Sequence, residues 1–565
     1  MSEANKLPAE APFNIASLLT EAAAKWPDLP AVVAPHRPDA LGRGSLTMSE
    51  LDASSGKLAA WLMRNEAVPG SRVIVMVRPG LDFVSIVFAL FKAALVPVMV
   101  DPGMGLKRMM RCLAEGRPSG IVGIPAAHIL SLTAPGSFKG IKLRVTVGRR
   151  FGWSGGLLVD IMAAPDDGAA EVSPVQTAPE DMAAILFTSG STGAAKGVVY
   201  THAMFRAQIE AIRTGFDIQP GGVDLATFPL FGLFAPALGL TSIIPDMNPA
   251  NPAKADPRRI IEPIINHRVT SMFASPTILT KTASFAHEHN LNLPSLKRVI
   301  AAGAPVQPRS VAAFTSIMSG EGKLITPYGA TEGVPLTRMD GEEINCDTKL
   351  MTEQGLGMCV GRPLAEVKLG IIAISDEVIA AFKPGLLLPP GEIGEIISQG
   401  PMVSRSYFQR PRETALSVMP EEDNNNRFWR RMGDVGWMDA EGRLWFCGRK
   451  SHRVITSQGT LFTIPCEAIF NNHPLVSRSA LVGVGKPGRQ KPVMVVEPHK
   501  YVKGPKWEKL KEELEALARA NPRTISINTF LCCRAFPVDV RHNAKINREK
   551  LAVWAAKELP PAEAN

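Results

Sequence analysis

The sequence predicts an α/β protein with a large N-terminal domain and a small α+β C-terminal domain. Its 565 residues are too many for one ordinary hydrophobic core. Along the first four-fifths of the chain, short β-rich apolar runs alternate with helical stretches, which is typical of mostly parallel sheets with crossover helices. After residues 448–451, Gly-Arg-Lys-Ser, the pattern restarts as a smaller unit. We therefore expect domains at 1–450 and 451–565.

The elements follow from periodicity and turn residues. The pattern predicts strands at 72–77, 96–100, 184–188, 271–274 and 299–302, and helices at 49–65, 81–94 and 202–214. Short strands with tight turns near 391–399 and 436–447, with a hairpin turn at 439–442, indicate a small β-barrel-like part. In the C-terminal domain we expect strands at 454–456, 479–484 and 492–497 and a helix at 507–520.

Composition restricts the classes of function. The net charge of +9 is interpreted as spread along the chain, and no nucleic-acid-binding signature accompanies it, so nucleic acid is not an expected partner. The apolar stretch 83–100 contains Lys92 and Pro97, which favours a buried helix and strand over a transmembrane segment. The seven cysteines form no Cys-x-x-Cys pair, and the N-terminus lacks a signal-peptide pattern. A cytoplasmic protein is expected, with peripheral contact to an anionic membrane left open.

A loop of small and hydroxyl residues follows the apolar run that ends at Phe187. It is composed of Thr188, Ser189, Gly190, Ser191, Thr192 and Gly193, and Lys196 follows it. Small residues let backbone N–H groups approach an anion, hydroxyls add donors and lysine adds a positive charge. Lys196 is followed by glycine rather than Ser or Thr, so the loop is not a Walker loop. The alternative interpretation is a flexible surface loop.

This loop resembles the signature of the adenylate-forming superfamily, which contains acyl-CoA synthetases, luciferases and adenylation domains. Further segments resemble superfamily motifs in the same order. They are Gly303-Ala304-Pro305, Tyr328-Gly329-Ala330-Thr331-Glu332, Gly433-Asp434, Gly448-Arg449 and Ala544-Lys545. Met432 stands where the superfamily has threonine, and Ser451 stands at the usual hinge position.

The resemblance implies a role for each matching residue. The turn at 303–305 would line the adenine pocket, Tyr328 and Gly329 would contact adenine, and Thr331 would contact phosphate. Glu332 would hold Mg²⁺, for which a hard carboxylate oxygen is suited. Asp434 and Arg449 would bind the ribose. Lys545 would reach the cleft on a C-terminal lid and, with Thr188 and Glu332, assist catalysis.

The implied reaction joins a carboxylic acid to AMP, with ATP and Mg²⁺ as cofactors and pyrophosphate released. Acyl-CoA ligases of this superfamily carry a Pro-Leu-Phe-His segment, whereas this chain has Gly232 after Phe231. Other segments, including 100–105 and 448–454, resemble bacterial olefin β-lactone synthetases. In that group the acid is a long-chain 2-alkyl-3-hydroxyalkanoate, whose own hydroxyl expels AMP and closes the lactone.

Two alternatives stay open from the sequence. The first is a long-chain fatty acid–CoA ligase, and the second is a silent nucleotide-binding scaffold protein. Lys196, Glu332, Asp434, Arg449 and Lys545 are all present, which argues against the scaffold. A complex with other olefin-pathway enzymes is expected from the resemblance alone. Phe228, Phe231 and Phe234 are candidates for the acyl pocket or for ordinary core.

Overall fold

The computed structural model describes residues 12–165, 172–187, 195–228, 232–538 and 546–559, and the structural statements below concern these residues. The helices are α1 (Ser17–Lys25), α2 (Met48–Arg64), α3 (Leu81–Lys92), α4 (Leu106–Glu115), α5 (Pro125–Thr133), α6 (Leu158–Ala163), α7 (His202–Gly215), α8 (Arg258–Asn266), α9 (Pro276–Glu288), α10 (Pro308–Thr315), α11 (Gly341–Glu343), α12 (Lys349–Glu353), α13 (Pro411–Ser417), α14 (Thr463–Asn471), α15 (Pro505–Ala520) and α16 (Arg548–Glu558).

The strands alternate with these helices through most of the chain. They are β1 (Pro30–Val33), β2 (Ser45–Thr47), β3 (Arg72–Met76), β4 (Val96–Val100), β5 (Gly120–Gly123), β6 (Leu143–Thr146), β7 (Gly156–Leu157), β8 (Met182–Phe187), β9 (Gly197–Thr201), β10 (Val223–Ala226), β11 (Thr241–Ile243), β12 (Ser271–Ala274), β13 (Arg298–Ala301), β14 (Lys323–Ile325), β15 (Thr337–Arg338), β16 (Met358–Cys359), β17 (Arg362–Pro363), β18 (Lys368–Ile372), β19 (Gly394–Gln399), β20 (Val418–Glu421), β21 (Asn424–Met438), β22 (Leu444–Arg449), β23 (Val454–Thr456), β24 (Gly459–Leu461), β25 (Val476–Val484), β26 (Lys491–Pro498) and β27 (Phe530–Cys532).

Two sheets that are mainly parallel form the bulk of the protein. Within the described ranges, the first has the order β7-β6-β5-β3-β4-β8-β9 and the second the order β14-β13-β12-β10-β11-β1-β2. Each sheet has one antiparallel edge pair, β8 with β9 and β1 with β2. Parallel strands need crossover connections, and the helices between them supply these connections.

The remaining sheets are smaller. An antiparallel sheet runs β16-β22-β21-β19-β18, with β20 also paired to β21. The last part of the chain contains the hairpin β23-β24 and the sheet β25-β26-β27, which packs against α14 and α16. The predicted fold class is therefore confirmed: mostly parallel sheets, a small barrel-like antiparallel part and a small α+β C-terminal domain. The boundary at 450 and 451 and the mobility of the C-terminal domain stay predictions.

Local sequence signals account for the elements near the first sheet. The Thr47 hydroxyl accepts the Glu50 N–H at 3.2 Å, and the Glu50 carboxylate accepts the Thr47 N–H at 2.8 Å, so a capping box starts α2. Helix α3 is buried along almost its whole length, as its continuous apolar sequence predicts. Its Lys92 is fully buried and pairs with the Asp52 carboxylate at 2.8 Å. None of the described helices has the length and apolar character needed to cross a membrane.

Candidate active site

A cleft of about 2220 Å³ lies at the carboxyl ends of the parallel strands. The last residues of three parallel strands line it: Val100 of β4, Phe187 of β8 and Ala301 of β13. Residues of the C-terminal domain, including Ile546 and Arg548, also line the cleft. Open α/β sheets bind ligands outside the carboxyl ends of their strands, so the cleft is the candidate active site.

Three of the residues predicted from motifs meet around one buried carboxylate. The Tyr328 hydroxyl donates to Asp434 Oδ2 at 2.7 Å, and Arg449 Nη1 lies 3.1 Å from Asp434 Oδ1. Asp434 and Arg449 are neighbours across the β21–β22 pair, whereas Tyr328 follows β14. Burial and the Asp434 charge raise the pKa of Tyr328 well above its usual value, so the phenol stays a donor to this carboxylate.

The turn at 303–305 also lines the cleft. It follows β13 directly, and Gly303 has a φ of +98°, a left-handed conformation that favours glycine. Gly329 and Thr331 line the cleft as well. The carbonyl of Thr331 accepts the Tyr200 hydroxyl at 2.5 Å, which ties this segment to β9. The structure thus brings the candidates from four separate motifs to one wall of the cleft.

Glu332 lies beside an aromatic ring that contacts two cations. The Tyr407 hydroxyl donates to Glu332 Oε1 at 2.7 Å. The Arg430 guanidinium carbon lies 4.6 Å from the centroid of the Tyr407 ring, and Lys196 Nζ lies 4.8 Å from it. Burial acts to raise the pKa of Glu332, but the Arg430 charge and the Tyr407 hydroxyl outweigh it and lower that pKa. Glu332 is therefore ionised at neutral pH, the form in which a carboxylate binds a divalent cation.

Lys196 lines the cleft as a half-buried cation. Within the described part of the chain, no carboxylate oxygen lies within 4.0 Å of its ammonium group. Burial lowers the pKa of Lys196, while the charges of Glu332 and Glu413 oppose this effect. An anionic ligand stabilises the charged form of a half-buried lysine, because the ligand replaces the solvation that burial removed.

Several predicted residues lie outside the described residues. They are Thr188, Ser189, Gly190, Ser191, Thr192, Gly193 and Lys545. Their described neighbours nevertheless line the cleft: Phe187 and Lys196 next to the first segment, and Val538 and Ile546 on either side of the second. Val538 and Ile546 also pair as an antiparallel bridge.

A buried ion pair anchors the chain after Lys545. Arg548 donates to both Glu467 oxygens, at 2.5 and 2.9 Å, and to the Leu481 carbonyl at 3.2 Å. Glu467 lies on α14 and is almost fully buried. Breaking such a pair leaves a buried charge without its partner, so α14 and the start of α16 are held together firmly.

The hinge segment is fixed by lysine and arginine rather than by Ser451. Lys450 Nζ lies 3.1 Å from Glu395 and donates to the Ser375 carbonyl at 2.8 Å. Arg453 pairs with Asp376 at 2.5 Å. These contacts attach the segment 450–453, where the chain enters its C-terminal part, to β19 and to the loop after β18.

An aromatic cluster forms the apolar part of the cleft. Phe91, Phe205 and Phe234 line the cleft, and Phe234 stacks on Phe91 with ring centroids 6.3 Å apart. Phe228 also lines the cleft, whereas Phe231 lies outside the described residues. His202 does not line the cleft. Burial lowers the pKa of its ring to about 4, and its Nδ1 accepts the Ile15 N–H at 3.1 Å, so it is a neutral structural residue.

The position of Gly232 excludes a side chain. A Cβ atom placed on Gly232 would lie 2.3 Å from the Ala226 Cβ and 3.1 Å from the Ser242 hydroxyl. Contacts below 3.0 Å are essentially absent from real structures. Gly232 is where the acyl-CoA ligase pattern has histidine. The backbone here leaves no room for that residue.

Sequence reasoning missed Tyr407 and Arg430. Tyr407 is 75 residues from Glu332, and Arg430 is fully buried behind the Tyr407 ring. The only local signal is the pair Arg430-Arg431 between the apolar residues Trp429 and Met432, because arginines are rarely buried without a partner.

Comparison with known proteins shows the family to which the chain belongs. The chain belongs to the AMP-binding enzyme family, whose model matches residues 19–408. The olefin beta-lactone synthetase of Xanthomonas campestris is 45% identical over 96% of this chain and 98% of its own length. That of Stenotrophomonas maltophilia is 46% identical over 97% of this chain and 99% of its own length. The solved amide bond synthetase of Marinactinospora thermotolerans shares the fold, with a TM-score of 0.78, 22% identity, and coverage of 96% of this chain and 99% of that one.

These matches confirm the predicted superfamily, the relation to β-lactone synthetases and the prediction of an ATP-dependent, acid-activating enzyme. The alternative of a silent scaffold is not supported by them. The roles of the individual site residues stay predictions.

The contact between Arg430 and Tyr407 makes a testable prediction about Glu332. Arg430→Met should raise the pKa of Glu332, because it removes the positive charge that offsets burial. The acidic limb of pyrophosphate-exchange activity should move up by about one pH unit. Arg430→Lys keeps the positive charge, so its acidic limb should stay close to that of the unmodified protein.

Arg430 Nε and Nη2 have no hydrogen-bond partner among the described atoms, so the Met variant loses few bonds and should fold. Circular dichroism checks this. An unchanged acidic limb with a lower kcat would mean that Arg430 has only a structural role.

Proposed function

We propose that this protein is an ATP-dependent β-lactone synthetase that acts on a long-chain 2-alkyl-3-hydroxyalkanoic acid. The observation that carries the proposal is the 45% identity to a named olefin beta-lactone synthetase over 96% of the chain. The acid is first joined to AMP, and its 3-hydroxyl then closes a four-membered ring. The cytoplasmic location and a complex with other pathway enzymes remain predictions.

In the first step a carboxylate oxygen of the acid bonds to the α-phosphorus of ATP, and the bond to the pyrophosphate oxygen breaks. The Tyr328 ring and the turn at 303–305 would hold the adenine. Asp434 and Arg449 would hold the ribose hydroxyls. Lys196 and the backbone of 188–193 would bind the phosphates, and Lys545 would reach the reacting carboxylate. Fixed charges of this kind stabilise the transition state without reorganisation.

The residues present also fit a magnesium ion. Glu332 is ionised, faces the cleft and would be the protein ligand. Among the described residues no group of three or more His, Cys, Asp or Glu side chains could hold a metal, so we expect most ligands of the ion to be phosphate oxygens and water. When bound, the ion neutralises triphosphate charge. Tyr407 orients Glu332 through its hydroxyl, and Arg430 keeps the carboxylate ionised.

In the second step the 3-hydroxyl oxygen attacks the carbonyl carbon, loses its proton, and the bond to AMP breaks. An internal nucleophile avoids the entropy cost of binding a second substrate. Gly232 supports this route over thioester formation, because its surroundings exclude the histidine of the acyl-CoA ligase pattern. The aromatic cluster of Phe91, Phe205 and Phe234 offers apolar surface to the alkyl chains.

We further propose that residues 451–565 act as a mobile lid. The chain crosses into this part at Arg449–Arg453, where Lys450 and Arg453 contact Glu395, Ser375 and Asp376. The Arg548–Glu467 pair fixes the chain that follows Lys545 to the C-terminal domain. Lys545 would therefore move with that domain as one unit.

The decisive experiment is a product assay without CoA. Enzyme, ATP, Mg²⁺ and a 2-alkyl-3-hydroxy acid are incubated, and the product is analysed by NMR or mass spectrometry. We expect β-lactone, AMP and pyrophosphate. A strict requirement for CoA with a thioester product would replace this proposal with the fatty acid–CoA ligase alternative.

Lys545→Ala should reduce acid-dependent pyrophosphate release by about 100-fold or more, because it removes a positive charge from the reacting carboxylate and α-phosphate. Lys550→Ala is the matched control. Lys550 is exposed on α16, five positions further along, and its loss should leave the rate unchanged. Equal rates for the two variants would remove Lys545 from the mechanism.

Gly232→Ala should lower the free energy of unfolding by about 1–3 kcal/mol, because its Cβ clashes with that of Ala226. Adding Ala226→Gly should recover part of the loss relative to Ala226→Gly alone, as measured by a double-mutant cycle on thermal unfolding. The Gly232→His variant should be destabilised at least as much as Gly232→Ala, and it should not catalyse formation of a thioester with CoA. A stable, CoA-dependent Gly232→His enzyme would contradict this interpretation.

A further inference from the structure

One stretch near the first sheet is strongly basic. Residues 102–150 contain nine Lys and Arg residues and one acidic residue, Glu115, so the net charge of this stretch is +8. The stretch covers α4, β5, α5 and β6 at one side of the first sheet.

Most of these cations face solvent. Lys107, Arg108 and Arg111 are exposed on α4, and further exposed cations follow at Arg117, Lys139, Lys142, Arg149 and Arg150. Among the described residues, no carboxylate oxygen lies within 4.0 Å of any of these eight. Glu115 is already paired with Arg410, at 2.5 Å. Within the described ranges, these eight cations are thus not neutralised by direct contact with a carboxylate.

Large apolar side chains lie among the cations. Leu106 is 60% exposed, Ile129 49%, Leu132 55% and Phe151 60%. Scattered exposed apolar residues are ordinary, but four of them within a surface rich in arginine and lysine form an amphipathic face. We call these four residues and the eight exposed cations the basic surface.

The elements of the basic surface form one continuous unit. Met109 and Leu113 of α4, Ala127 of α5 and Phe138 share one small hydrophobic cluster. The Phe151 ring contacts Trp153 at 6.0 Å, and Trp153 stacks on His128 of α5 at 5.2 Å. The helices and the loop after β6 are therefore packed together as one unit at this edge of the first sheet.

The basic surface adjoins the cleft. Arg108 and Met109 from α4, and Ala126 and Leu130 from α5, line the same cavity that contains the aromatic cluster and the Tyr328 wall. Leu130 lies between the exposed Ile129 and Leu132 in sequence. The cleft thus extends to α4 and α5, the two helices that carry the exposed Leu106, Ile129 and Leu132.

We propose that the basic surface docks on an anionic phospholipid bilayer and that the alkyl chains of the substrate enter the cleft between α4 and α5. The docking rests on the charge and the exposed apolar residues. The entry route rests in addition on the proposed long-chain substrate. Arginine and lysine are attracted by lipid phosphates, while Leu106, Ile129, Leu132 and Phe151 insert among the acyl chains. A bilayer accepts both kinds of side chain, whereas an acidic protein surface complements only the charge.

The experiment is co-sedimentation of the full-length protein with vesicles of phosphatidylcholine, with and without phosphatidylglycerol. Two variants remove the proposed contacts. One is Lys107→Glu with Arg111→Glu, and the other is Ile129→Ser with Leu132→Ser; none of these residues lines the cleft. The matched control is Lys506→Glu with Lys509→Glu, two exposed lysines on α15.

We expect the unmodified protein and the control to sediment with the anionic vesicles and to be released by salt. The partition of each surface variant onto anionic vesicles should be at least about tenfold lower than that of the unmodified protein. No binding to anionic vesicles would overturn the proposal. Vesicle binding by the charge variant equal to that of the unmodified protein would also overturn it. If the variants instead change the oligomeric state and no vesicle binding is seen, this face is an interface between copies and the proposal is likewise overturned.

Turnover separates this proposal from the proposed function. With a short, water-soluble 3-hydroxy acid, the surface variants should keep the pyrophosphate-release rate of the unmodified protein. With a long-chain acid carried in anionic vesicles, their rate should fall about tenfold, in step with partition. Loss of both rates would overturn the assignment of these residues to docking alone, whereas vesicle binding without any β-lactone would leave docking intact and reject the proposed function.

Discussion

The buried carboxylate of Asp434 connects the parts of the protein that make the cleft. It accepts the Tyr328 hydroxyl at 2.7 Å and lies 3.1 Å from Arg449. Tyr328 follows β14 of the second sheet, and Asp434 lies in β21 of the antiparallel sheet. Arg449 is the last residue of β22, where the chain leaves that sheet for the C-terminal domain. A buried carboxylate must keep its partners, because an unpaired buried charge costs several kcal/mol. The arrangement therefore fixes the second sheet, the antiparallel sheet and the crossing relative to one another.

Local patterns in the sequence predicted much of this arrangement. The predicted strands at 96–100 and 271–274 have the bounds of β4 and β12, because short, largely apolar runs of this length are typical of buried strands. Tyr328, Glu332, Asp434 and Arg449 were identified by short motifs. Tyr407 and Arg430 carry no motif, since their roles come from contacts between distant parts of the chain. The crowding at Gly232 is likewise a property of packing, so the sequence could show the missing histidine but not the absence of space for it.

Charge shows the same limit of sequence reasoning. A net charge of +9 over 565 residues is unremarkable as a total, and nothing in that total says where the charges lie. Only the folding of 102–150 into adjacent helices and a loop places the cations beside Leu106, Ile129, Leu132 and Phe151. The same helices contribute Arg108 and Leu130 to the cleft. Position in the fold, rather than composition, therefore relates this surface to the cleft.

The electrostatics of the cleft favour a highly charged anion. Lys196, Arg430 and Arg449 surround two carboxylates, Glu332 and Asp434, of which Asp434 is already paired with Arg449. The pKa of Lys196 is lowered chiefly by burial, and the pKa of Glu332 is lowered by Arg430 and Tyr407 against the effect of burial. The shift of Glu332 reflects the cations around it, whereas the shift of Lys196 reflects the solvation that its ammonium has lost. A triphosphate would replace that solvation, and its binding should strengthen as water is excluded, because these interactions grow in a low dielectric.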